Sequence, residues 1–327
     1  METKNEESPL KIRSAKATIA AGLRLYIGNF RRIFRATWLP VLVSALVCAF
    51  ATRATIAATS QMIQLLGLQA RADAPTLPQQ YMAQTGLALL DLIISVVLMS
   101  YVFEMLTIHR TEGVIPYPKH WWSLPDRHSL TRTVASAVVW LLTQVVFGII
   151  LLVPAYFGIT NQSVTLLGVG FLLLLVFTVL ILPLVYPHIR YLTTKDTHIL
   201  PLLRSCYGQG MRHWGYIFTV LFVMLLLLII AMTITMLPAV VLIMASIYSQ
   251  VGADMGDPLG MPSYMDWLAL LVFTLSGFIL AYVIIAIHFP AYYMAGSIEQ
   301  QEIQRNETGS IEQQEIQRNE TAKDTLY

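Results

Sequence analysis

Six stretches of this sequence stay apolar for about twenty residues or more, and no other feature restricts the fold as much. A hydrocarbon layer ~30 Å thick takes about 20 residues of helix to cross. Inside it every backbone N–H and C=O must be paired within the segment, so such stretches become helices. They cover approximately 36–58, 84–108, 133–153, 164–186, 215–248 and 264–288. The reading is an all-α polytopic membrane protein: six transmembrane helices as three hairpins, with basic amphipathic interfacial helices. Of 327 residues, 56% are hydrophobic and 12% charged, whereas a soluble domain carries roughly a quarter charged. No span of ordinary domain size remains outside lipid. Cys48 falls within a span and Cys206 in a basic turn, so free thiols are expected. The 35 residues before the first span are too long for the positive region of a cleavable signal.

Lys and Arg set the orientation. Eight precede residue 36, Arg110, Lys119, Arg127 and Arg132 lie in 108–132, and Arg190, Lys195, Arg204 and Arg212 lie in 189–213. Only Arg53 and Arg71 fall on the opposite side. The positive-inside rule puts both termini in the cytoplasm, and the expected location is a bacterial inner membrane. Three regions follow: a cytoplasmic segment 1–35, a six-helix domain 36–295, and a polar tail 296–327. The first ten residues are expected to be mobile, and 59–82 to form a polar outer loop. The fifth span is too long for one straight crossing, so Pro238 is expected to kink or end it.

In the first region Ile12, Ala15, Ile19, Leu23, Tyr26, Ile27, Phe30, Ile33 and Phe34 recur at helical spacings, with Arg24, Arg31 and Arg35 on another side. Such a helix lies among lipid headgroups, or packs its stripe on the bundle, or does both. Candidate headgroup contacts are Arg24, Arg31, Arg32, Arg204 and Arg212. The expected partners are the bilayer, especially anionic phospholipid, and another membrane protein. Nucleic acid is not expected, because the basic segments sit beside lipid.

The joint from Leu182 to Leu228 organises the chain: an apolar helix expected to stop at Pro183 and Pro187, a basic segment, then a new apolar helix after Trp214. Leu203-Arg204 to Gly208-Gln209 and Arg212 repeats Leu23-Arg24 to Gly28-Asn29 and Arg32 as L-R-x-x-x-G-[N/Q]-x-x-R. Each copy precedes an aromatic-led span, and 119–133 is the weakest copy. A proline-ended span, a short polar link and a helix with Arg204-Ser205 before the next span, together with F-R-R-I-F-R-A-T-W-L-P-V-L from Phe30, carry a family likeness. Over residues 12–295 the pattern resembles the six-span membrane domain of the glycerophosphodiester phosphodiesterase membrane-domain group and related bacterial membrane proteins of unknown function. The resemblance implies a six-helix membrane domain. In that group a soluble phosphodiesterase domain can follow, and 296–327 is too short for one, so no such catalysis is carried over.

The tail holds G-S-I-E-Q-Q-E-I-Q-R-N-E-T at 296–308 and again, unchanged, at 309–321. Identity and polarity point to a recent duplication in a disordered or loosely helical tail rather than a solenoid. Seven histidines, His109, His120, His128, His188, His198, His213 and His288, all fall near the basic face, but none are paired three or four apart as helix-borne metal ligands would be. Asp91 and Glu104 are the candidate intramembrane polar residues. Thirteen residues apart, they lie ~20 Å from each other along a helix and do not form one dyad. No Walker loop, dinucleotide fingerprint, G-x-S-x-G elbow or H-E-x-x-H occurs. No cofactor or catalytic residue is expected. The resulting function is a non-catalytic, membrane-organising or partner-binding role. The alternative is a small proton-coupled transporter using Asp91 or Glu104, and a weaker one is a membrane-bound metal oxygenase.

Overall fold

The computed structural model describes residues 8–67, 77–117, 125–194, 198–254, 262 and 264–324. The helices are α1 (Ala15–Gly28), α2 (Phe30–Gly67), α3 (Leu77–Glu112), α4 (Arg127–Thr160), α5 (Val164–Ile181), α6 (Val185–Thr193), α7 (Ile199–Arg212), α8 (Trp214–Asp254) and α9 (Tyr264–Asp324), with a 3₁₀ turn Leu182–Leu184. Among the described residues there is no strand. Six helices are long and apolar enough to cross a membrane, so the chain is an all-α polytopic protein. They pair as three hairpins, α2 with α3, α4 with α5 and α8 with α9.

Local chemistry sets the joints. Ser14 caps α1 by accepting the Ala17 N–H at 3.4 Å. Asn29 ends α1, donating its side-chain amide to Leu25 O at 3.1 Å. Its own carbonyl then accepts from Arg32 and Ile33 and starts α2. The α4–α5 turn passes through Gln162 at φ 50, with Ser163 accepting the Leu166 N–H. Gly170 lies so close to Pro154 that an added Cβ would come within 2.7 Å of its ring.

The core sits toward the basic end rather than midway along the spans. Ile33, Leu106, Tyr186, Ile217, Ile285, Phe289, Tyr292 and Ile298 are buried there in one cluster. Aromatic contacts such as Tyr26–Phe289 at 5.2 Å and Phe34–Tyr282 at 5.5 Å join α1 and α2 to α9, each contributing ~0.5–1.5 kcal/mol beyond its area. The Tyr26 hydroxyl donates to Tyr282 O at 3.0 Å. Burial pushes this phenol's pKa up, which keeps it a donor. A smaller cluster of Ala49, Ile56, Ala239, Ala269 and Phe273 holds the other end. The hairpins share the packing unequally: the most apolar stretch of α2 is 44% buried and that of α5 0%.

Several expectations change. Pro183 only tightens the helix into a 3₁₀ turn, and α6 continues through Pro187. α6 is the buried centre of the basic end, with Tyr186, His188, Ile189 and Leu192 inside, because its neighbours cover it on all sides. α8 does not end at Pro238, one of the two outcomes expected there, and α2 extends to Gly67 into the expected outer loop. α9 runs on through the tail to Asp324, in line with the helical rather than the disordered of the two tail expectations. The amino-terminal arm is held as well, since Pro9 is buried with its carbonyl against Gly296 and the Arg13 N–H donates to Ser297 Oγ at 3.0 Å. Lys119, His120, Trp121, Trp122, Lys195 and Arg71, with the first part of the weakest repeat copy, lie outside the described residues.

Candidate functional site

Two glutamates one helical turn apart on α9 draw the basic segments together. Glu299 accepts from Arg110 at the end of α3 at 2.7 and 2.8 Å, and Arg190 of α6 approaches it at 3.5 Å. Glu302 accepts from Arg212 at 2.9 and 3.0 Å and lies 2.9 Å from His213 Nε2. The glutamate side chains are 12% and 8% exposed, so water screens these pairs less than a surface bridge. Arg132, counted among the loop cations, is buried with its guanidinium over Tyr191 at 4.5 Å.

The five candidate headgroup arginines therefore divide. Arg212 is committed to Glu302. Arg31 and Arg204 are exposed on α2 and α7. Arg24 and Arg32, on either side of the α1–α2 bend, line one chamber of about 440 Å³ with Asn29, His109, Ile115 and Tyr293. Arg32 donates to Ile115 O at 2.8 Å, which ties the segment after α3 to the bend. Arg35 bonds the Tyr117 hydroxyl and lies over its ring at 4.8 Å.

Asp91 and Glu104 are in separate environments. Ser44 of α2 donates to Asp91 Oδ1 at 2.6 Å, beside a cavity of about 310 Å³ that Cys48, Ser95 and otherwise mostly apolar side chains of α2, α3, α8 and α9 also line. Glu104 accepts the Asp126 N–H at 3.1 Å, at the residue that precedes α4. One carboxylate bridges two spans and the other anchors the start of a third. Arg53 approaches Asp266 at 3.5 Å at the far end.

A Ser136–His188 contact of 2.5 Å, buried beside a cavity of about 450 Å³, has no counterpart in the expectations. Its members are 52 residues apart on α4 and α6, so no spacing could link them. His188 also meets Trp140 edge-on at 5.2 Å, and no carboxylate among the described residues bonds it. Ser136 stands inside a continuous helix whose amides are used in helix bonds, leaving no pair of N–H groups for an oxyanion. The contact therefore reads as a satisfied buried pair. His109 meets Tyr292, His213 meets Glu302 and His288 lies 3.0 Å from Ile284 O. Among the described residues no three His, Cys, Asp or Glu side chains gather as a metal site. No family model, curated protein or solved structure matches the chain.

Proposed function

We propose that this is a multi-pass protein of a bacterial inner membrane, with both termini cytoplasmic, that organises membrane or binds a partner without catalysis. Its basic face is turned to anionic phospholipid. The observation that carries this reading is the division of arginines at one end of the bundle. Arg110, Arg190 and Arg212 are tied to the largely buried Glu299 and the buried Glu302, while Arg24, Arg31 and Arg204 are exposed and have no ion pair among the described residues. Cations left outward near a bilayer each gain about 1 kcal/mol from an anionic leaflet. The exposed apolar faces of α4 and α5, such as Leu152, Tyr156, Phe171 and Leu172, are available to lipid or to a membrane partner. The likeness of residues 12–295 to the six-span membrane-domain group is part of this reading, supported by the six spans and by the shared placing of α1 and α7 before α2 and α8.

The test is reconstitution into vesicles with and without an anionic lipid. Wild type should prefer the anionic vesicles, and Arg31→Gln with Arg204→Gln should weaken that preference and its salt sensitivity. Equal association with neutral and anionic vesicles would remove the reading. A second reading, a proton-coupled transporter, is favoured by the cavity at Asp91. Proton flux in vesicles that Asp91→Asn abolishes would replace the first reading with this one.

A further inference from the structure

We infer that the chamber between α1, the start of α2, the end of α3 and α9 binds a phosphate-bearing anion, with Arg24, Arg32 and Asn29 as its contacts. This deepens the reading of a basic face turned to phospholipid and rests on it only for the lipid as a source of the phosphate. The lining contains two guanidinium groups, an amide and an imidazole, and among the described residues no carboxylate. Arg24 is exposed and has no ion pair among the described residues. Arg32 gives Nη1 to Ile115 O, which fixes the guanidinium and leaves its other N–H groups for a ligand. Planar forks of this kind suit phosphate oxygens.

The convergence of Arg24, Arg32 and Asn29 on one chamber is the observation that points to a ligand, and His109 closes its wall. Its side chain is 1% exposed, it lines the chamber, and its Nδ1 lies 3.1 Å from the Tyr292 hydroxyl. Its Nε2 is buried and has no hydrogen-bond partner among the described residues, so the imidazole forms part of the chamber wall and is not counted as a contact. Asn29 has one amide hydrogen on Leu25 O and a second free to donate. At about 440 Å³ the chamber exceeds what orthophosphate fills, which favours an organic phosphate with a small polar substituent.

A phospholipid headgroup and a soluble organic phosphate share this chemistry, and the experiment separates them. The full chain in neutral detergent is titrated with phosphatidylglycerol and, separately, with glycerol 3-phosphate, and adducts are counted by native mass spectrometry. One equivalent should bind, and Arg24→Gln should weaken it by about tenfold or more, as loss of one charge-assisted bond implies. Arg24→Lys should recover part of the loss. Arg31→Gln with Arg204→Gln should stay within about twofold, because those side chains are outside the chamber. Binding of the lipid alone makes the source a headgroup, and binding of both probes admits a soluble ligand. Either result supports the site. No one-to-one adduct with either probe at about 1 mM, or equal losses in the Arg24 and Arg31/Arg204 variants, overturns it. Loss of vesicle preference in the Arg31/Arg204 variant with the adduct intact leaves the chamber standing. A vesicle preference with no adduct leaves only the general basic face.

Discussion

At the scale of single residues, three glycines let helices or strands of chain touch backbone to backbone. A Cβ added at Gly22 would lie 2.3 Å from Pro290 N, one at Gly210 2.4 Å from Pro183 O, and one at Gly296 2.4 Å from Pro9 O. Each time the opposing atoms belong to a proline or its carbonyl, where backbone cannot yield as a side-chain end would. Gly22→Ala should therefore lower stability by ~1–3 kcal/mol, read from thermal unfolding in detergent. Gly28→Ala, with open space around it, should be neutral or slightly stabilising. Glu299→Ala should cost ~1–3 kcal/mol by leaving Arg110, 14% exposed, without its carboxylate. Neither site was legible beforehand: Gly22 stands in an ordinary helical pattern, and Glu299 stands in a polar tail whose composition gives no reason for burial.

At the scale of elements, the spans were the legible part, because hydrocarbon thickness acts on each one separately and leaves its length in the sequence. The tail was not. Its two copies are identical, yet the first is structural: Gly296 meets Pro9, Ser297 accepts from Arg13, Ile298 is fully buried, and Glu299 and Glu302 hold the arginines. In the second copy no described residue would meet a Cβ at Gly309, and Ile311 is 56% exposed. A chain ended after Thr308 should unfold within about 2 °C of the full chain, while one ended after Ala295 should lose more than about 5 °C. Equal behaviour of the two truncations would mean that the first copy contributes no stability. The same uneven legibility holds for α6, which reads as a polar turn after two prolines but is buried because α3, α7 and α9 surround it.

At the scale of the whole molecule, packing concentrates at one end and the α4–α5 hairpin projects its apolar faces outward. The two ends differ in charge, and this makes orientation measurable. In a background with Cys48 and Cys206 replaced by Ala, Asn161→Cys at the α4–α5 turn should react with an impermeant thiol reagent from outside. Arg204→Cys should react only after the membrane is opened. Labelling of both from one side would contradict the proposed topology. The chamber belongs to this scale too, since Arg24, Arg32 and His109 come from three helices. The sequence marked Arg24 and Arg32 as headgroup candidates, but His109 stood only among seven histidines near a face.

What the sequence alone determined is the number of crossings, their pairing into hairpins and the crowding of arginine on one side. Each of these follows from local hydrophobicity, segment length and charge. What only the tertiary structure decided is which arginines are neutralised, which glutamates neutralise them, and how the first of two identical 13-residue segments packs on the bundle. Burial and pairing depend on what lies across the bundle, and two identical segments differ only in the neighbours they meet.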